Sequence, residues 1–212
     1  MSKVQSVVFK GPAGRLEGIL KFDPKVQSPK LAVVCHPHPL YQGTMHNKVA
    51  FAVASALFDA GCSVLRFNFR GVGLSEGSHD KGSGEIGDTL AAIRFLRDWY
   101  LTHSCMVAGF SFGAWMALEA ANRDPSLISV IAAAPPLRYF NLAILTKLTM
   151  PKLFLQGTND EICVPEDLQS LYPSVAEPKK LTLIEGAGHF FDGHLSDVKA
   201  EILGSRVFLG LQ

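Results

Sequence analysis

The chain has 212 residues, 48% of them hydrophobic and 18% charged, and its 20 lysines and arginines nearly balance its 19 acidic residues to leave a net charge of +1. This length buries one core and is short for two ordinary domains, so a single domain over residues 1–212 is expected. Charges of both signs are interspersed, which argues against a nucleic-acid or lipid-surface binder and for a small-molecule partner. The opening Met1-Ser-Lys-Val-Gln-Ser lacks the basic-then-apolar layout of a signal peptide. The uncharged stretch from Trp99 to Leu118 is broken by Thr102, His103, Ser104, Gly109 and Gly113, so it reads as core and not as a membrane span. Cys35, Cys62, Cys105 and Cys163 are far apart with no C-x-x-C pair, as expected of buried, reduced thiols in a cytoplasmic protein.

Val4 to Lys10 and Arg15 to Phe22 alternate apolar and polar residues around Gly11-Pro-Ala-Gly14, the pattern of a hairpin at a sheet edge. After a proline-bounded linker, Asp23 to Pro29, the apolar run Leu31 to Cys35 suits a strand buried on both faces, as in a parallel sheet. His36-Pro-His-Pro-Leu-Tyr-Gln-Gly43 must be loop, because prolines at alternate positions forbid a helix; helical periodicity then runs from Asn47 to Ala60 and stops at Gly61. Ser63 to Phe67 is the next strand. Behind it, the glycine-rich Arg70 to Gly77 fails as a nucleotide loop, since Glu76 stands where the dinucleotide fingerprint needs glycine and no G-K-[ST] follows; it reads as a tight turn near the rim of a site.

A helix over Glu85 to Tyr100, a strand over Cys105 to Ala108 and a helix over Ala114 to Ala121 follow, with Gly109-Phe110-Ser111-Phe112-Gly113 between the last two. Strands over Ile128 to Ala134 and Lys152 to Gly157 are separated by about 17 residues, too few for a lid domain. Leu181 to Ile184 gives a last strand, Gly186-Ala-Gly-His189 a loop, and Leu195 to Leu211 a closing amphipathic helix. Regular alternation of strands and helices implies an α/β sheet, parallel for most of its width, with helices on both faces and ligands at the carboxyl ends of its strands.

Chemistry gathers at those ends. The G-x-S-x-G turn bends strand into helix and lifts the Ser111 hydroxyl out of the sheet, while its glycines allow close backbone approach. The Phe112 N–H, at the start of a helix, lacks a helical partner and is free to stabilise an oxyanion. The plainer alternative is that Ser111 merely caps the helix. A nucleophilic serine needs a base, and the base needs an acid that fixes its tautomer. His189, after the final strand, and Asp160, after the Lys152 to Gly157 strand, are placed to serve; Asn159 and Glu161 flank Asp160, but an asparagine carries no charge for an imidazolium. His36-x-His38 suggests a metal pair, yet no carboxylate lies close in sequence and the alternating prolines suit a rigid oxyanion loop better, so neither a metal nor another cofactor is expected.

The order serine, acid, histidine, each after a strand, is that of α/β hydrolases. Gly109-Phe-Ser-Phe-Gly113, Gly157-Thr-Asn-Asp160 with Val164-Pro165, and Gly188-His-Phe-Phe191 resemble the elbow, acid turn and histidine loop of that fold. His36-Pro-His-Pro-Leu40, Gly43-Thr-Met-His-Asn-Lys48 and Phe67-Asn-Phe-Arg-Gly-Val-Gly73 resemble its small lid-less bacterial branch near the dienelactone hydrolases, across nearly the whole chain. One departure is Gln42, where that branch has a second glycine. The resemblance implies an α/β-hydrolase fold without a cap domain and Asp160 as the acid. Pro37 and Pro39 have no N–H, which leaves His38 or Leu40 as second oxyanion donor, and the likeness of His-Pro-His-Pro to the commoner His-Gly-x-Pro favours the backbone of His38. The expected activity is hydrolysis of an ester, thioester or lactone through an acyl-enzyme; the competing expectation is a binding or interaction protein that keeps the fold without turnover.

Overall fold

The computed structural model describes residues 2–26, 29–101, 104–139 and 141–211. An antiparallel hairpin comes first, β1 (Lys3–Gly11) and β2 (Gly14–Phe22), paired from Lys3 opposite Phe22 to Gly11 opposite Gly14. Six further strands follow: β3 (Lys30–Cys35), β4 (Cys62–Phe67), β5 (Cys105–Phe110), β6 (Val130–Ala133), β7 (Lys152–Gly157) and β8 (Lys179–Ile184). They form one eight-stranded sheet in the order β1-β2-β4-β3-β5-β6-β7-β8. The hairpin joins it through antiparallel pairing of β2 with β4, and every pairing from β4 to β8 is parallel.

Strands β5 and β6 are apolar at every position, and β3 is apolar from Leu31 to Cys35, because both faces are covered. Along β3, Leu31, Val33 and Cys35 enter the core on one face while Ala32 and Val34 enter the core on the other. Helices α1 (Lys48–Asp59) and α5 (Leu195–Gly204) cover the second face; α2 (Ser83–Tyr100), α3 (Phe112–Arg123) and α4 (Pro165–Leu171) cover the first. Local sequence explains the helix ends. Asn47 Oδ1 accepts from the N–H groups of Val49 and Ala50 to start α1, and Gly61, at φ 93°, turns the chain into β4. The buried Glu85 carboxylate accepts from the N–H of Gly82 and of Asp80 at the start of α2.

Two elements end short of expectation and one helix is additional to it. The closing helix stops at Gly204 and not at Leu211: residues 205–210 continue as turns, with Gly210 at φ 72°, while Leu209 and Leu211 keep the apolar spacing by packing into the core. Strand β6 spans only Val130–Ala133, because Ala134 turns into the left-handed region at φ 47°. Helix α4 was not foreseen; in Pro-Glu-Asp-Leu-Gln-Ser-Leu the buried positions are Pro165 and Leu168, so there is no apolar stripe to read. Between β6 and β7 lie two short 3-10 turns, Leu137–Tyr139 and Leu142–Thr146, and no domain-sized insertion. Among the described residues no helix is long and apolar enough to cross a membrane. All four cysteines are buried and unpaired.

Candidate active site

The turn from β5 into α3 holds Ser111 at φ 54°, ψ −120°, a conformation that a side-chain-bearing residue adopts only when its surroundings force it. Close packing supplies the force. A Cβ on Gly109 would collide with the Gly113 carbonyl, and one on Gly113 with the carbonyl oxygens of Cys35 and His36, so both glycines are needed for the turn to pass. The Ser111 N–H donates to the Ala133 carbonyl at 2.9 Å, tying the turn to β6. Pairing of Cys35 with Gly109 brings the loop after β3 alongside it.

Ser111 Oγ lies 3.0 Å from His189 Nε2, and His189 Nδ1 lies 2.9 Å from Asp160 Oδ2. The imidazole rests on the ring of Phe110, 5.0 Å between centroids, with Phe190 edge-on at 5.1 Å. Asp160 is buried, and each of its oxygens accepts twice. Oδ1 takes the N–H groups of Ile162 and Cys163 at 2.9 and 2.8 Å; Oδ2 takes His189 and the Gln156 amide, the latter at 3.0 Å. Burial alone would raise the carboxyl pKa, but the His189 hydrogen bond and those from Cys163 and Ile162 outweigh it and hold the group below its ordinary value. The neighbouring candidates go elsewhere: Glu161 is exposed, and Asn159 donates from its N–H to the Ala187 carbonyl, lacing the acid turn to the histidine loop. Gly157 permits that lacing, since a Cβ there would strike the carbonyls of Ala187 and Gly188.

Residues 36–43 form a braced loop. His36 is buried; its Nε2 accepts from the Phe69 N–H at 3.1 Å, so Nδ1 carries the proton and donates to the Pro37 carbonyl at 2.6 Å. Burial pushes its pKa down to about 4. With both nitrogens engaged, His36 is no metal ligand. Gln42 sits at φ 60°, the left-handed region where a glycine rests without strain, so the loop keeps the path that glycine would allow. His38 Nδ1 accepts from the Leu40 N–H at 3.2 Å, which removes Leu40 from the free donors. Among the described residues, no protein acceptor takes the N–H of Phe112 or of His38.

The glycine-rich turn hangs from β2: Glu17 Oε1 accepts from the Leu74 N–H and the Asn68 amide, and Arg70 is clasped by Asp88 and the Gly84 carbonyl. Its continuation reaches the rim, where the His79 ring lies 4.8 Å from that of His38. One set of metal-capable donors, Asp160, Cys163 and His189, lies within 4.8 Å among the described residues. Asp160 already accepts four hydrogen bonds, and burial pushes the Cys163 thiol up to about 12, so the sulfur is protonated near neutrality and the set does not suit a resident ion.

A cavity of about 250 Å³ opens beside Ser111. Tyr41, Phe112 and Trp115 line it, whereas Phe110 and Phe191 are buried in the core and Leu40 is exposed. Phe140 lies outside the described residues. The sequence reading missed the far wall, formed by Pro136, Tyr139, Ile162 and Cys163, and the buried Gln156 that holds Asp160. Gln156 did leave a signal, as the polar residue that directly follows the apolar run Leu153-Phe-Leu155.

The sequence model of a family described as alpha/beta hydrolase domain matches residues 42–201. An uncharacterized protein of Rickettsia prowazekii is 38% identical over 200 residues, covering 87% of this chain and 81% of that protein. An alpha-beta serine hydrolase homologue from Coxiella burnetii superposes with a TM-score of 0.90 at 34% identity, covering 95% of this chain and 96% of that one. A serine hydrolase without lid from Xanthomonas campestris gives a TM-score of 0.88 at 32% identity, over 97% and 94% of the two chains.

Proposed function

Because the chain belongs to the alpha/beta hydrolase family, we propose that this hydrolase is a serine carboxylesterase in which Ser111 is the nucleophile, His189 the general base and Asp160 the orienting acid. The observation that carries the reading is the unbroken run Ser111 Oγ, His189 Nε2, His189 Nδ1, Asp160 Oδ2, with contacts of 3.0 and 2.9 Å. Ser111 Oγ attacks the acyl carbon while His189 Nε2 takes its proton, and the oxyanion is met by the N–H groups of Phe112 and His38. The C–O bond to the alcohol then breaks as His189 returns the proton to the leaving oxygen. Water, deprotonated by the same histidine, releases the acid and regenerates Ser111. Asp160 keeps the proton of the neutral imidazole on Nδ1 and stabilises the imidazolium. No step calls for a cofactor.

Substrates on this reading are small soluble acyl esters, with thioesters and lactones open to the same chemistry. With no lid to displace, activity shows no jump at a lipid surface. The test combines fluorophosphonate labelling of Ser111 with kcat/KM for p-nitrophenyl esters, with and without emulsion. An unlabelled, folded protein identifies a binding module, and interfacial activation on long-chain lipid overturns the substrate class.

A further inference from the structure

We propose that the enzyme selects its substrate through the acyl group and not through the alcohol, and that Trp115 sets the acyl length it accepts. This rests on the esterase reading above. Three directions leave the tetrahedral carbon once it is bonded to Ser111 Oγ. The oxyanion points to the N–H groups of Phe112 and His38. The leaving oxygen must come within hydrogen-bond reach of His189 Nε2, because it takes its proton from there as the C–O bond breaks. The acyl chain has the remaining direction.

The cavity beside Ser111 is lined by Phe112 and Trp115 on the helix side and by Tyr139 and Ile162 on the opposite loops, and His189 and Phe190 take no part in it. It therefore receives the acyl chain. The alcohol leaves past His189 and Phe190, and Phe190 is 44% exposed, so that side faces solvent. At roughly 30 Å³ for each non-hydrogen atom, the space a water molecule takes in the liquid, 250 Å³ holds about eight carbons. Each methylene that finds room raises kcat/KM about fourfold until the space is full.

Trp115 is held in place. Its ring meets Phe112 edge to face at 5.6 Å, and the bare α-carbon of Gly82 abuts it, where a Cβ would come within 2.9 Å of the indole. A wall fixed on both sides sets a length and does not yield to longer chains.

The experiment uses the full chain and two ester ladders, one varying the acyl chain from acetyl to dodecanoyl on a constant alcohol, the other varying the alcohol from methyl to octyl on a constant acyl group. The expected kcat/KM rises by roughly three orders of magnitude along the acyl ladder, peaks near eight carbons and then falls, while the alcohol ladder stays within about threefold. Trp115→Ala moves the acyl peak out by about two to four carbons and leaves the alcohol ladder flat. Tyr139→Ala, at a side chain 74% exposed and so harmless to folding, blunts the fall beyond the peak. An alcohol ladder as steep as the acyl ladder, or an unmoved acyl peak in a folded Trp115→Ala protein, overturns the inference and leaves the esterase reading standing. Absence of any ester turnover together with an unlabelled Ser111 overturns both.

Discussion

Replacing Asp160 with asparagine keeps the side chain's shape and removes its ability to accept on both sides. In the native protein Oδ1 accepts from the N–H groups of Ile162 and Cys163, and Oδ2 accepts from Gln156 and His189. An amide satisfies only one of these pairs. If its oxygen stays with the two backbone donors, its NH2 faces the Gln156 amide nitrogen, which is held by the Cys163 carbonyl at 2.8 Å, and His189 Nδ1. Gln156 cannot turn without losing that bond, so His189 yields: Nδ1 becomes the acceptor, the proton moves to Nε2, and the imidazole no longer accepts from Ser111. The expected loss in kcat is about 10⁴-fold with KM little changed, as for a base locked in the wrong tautomer. The leftover donor conflict costs about 2 kcal/mol, a fall in Tm of roughly 4–8 °C for a chain of this size. Steady-state kinetics on a short-chain ester and a thermal melt measure both. A folded Asp160→Asn protein within tenfold of wild-type turnover, or a Glu161→Gln protein that is the more damaged of the two, refutes the reasoning and reassigns the acid.

Ser111→Ala is expected to keep its melting temperature, abolish fluorophosphonate labelling and lower turnover by about six orders of magnitude; near-normal hydrolysis by the folded variant removes Ser111 from the mechanism. Gly113→Ala places a methyl against the carbonyls of Cys35 and His36, and a loss of about 3 kcal/mol in urea unfolding, with little residual activity, is expected. His36 gives a pH signature. Burial lowers its pKa from 6.5 to about 4, so between those values the unfolded chain binds a proton that the folded chain refuses. Stability is full above pH 6.5 and falls by about 3 kcal/mol as pH drops to 4, and His36→Gln flattens that slope in pH-dependent melts.

The strands were legible because their apolar runs are short, continuous and bounded by glycine, proline or polar clusters; β7 matches its expected limits of Lys152 and Gly157 at both ends. The tight turn at Ser111 was legible because it demands two glycines at fixed spacing. Strand order was not, since β4 lies between β2 and β3 for reasons of crossover geometry that no local pattern records. The far wall of the cavity escaped for a similar reason: Tyr139 and Ile162 are ordinary loop residues until the sheet sets their two loops side by side. His36 was weighed as half of a metal pair against a place in a rigid oxyanion loop, and not as a brace, because a histidine used as a brace leaves the same trace in sequence as one used as a ligand.

Strand β6 occupies the position between the strand that leads to Ser111 and the strand that leads to Asp160, yet none of the three residues of the proposed triad follows it. The segment after it carries Pro136 and Tyr139. Division of labour among neighbouring strand ends makes the rim of that segment exchangeable: Pro136 and the exposed Tyr139 can be varied without touching the proposed proton relay, while Leu137, Ile144, Leu145, Leu148 and Met150 are buried and anchor the segment to the core. A library confined to Pro136 and Tyr139 should yield variants that differ in what they accept far more often than variants that have lost the reaction.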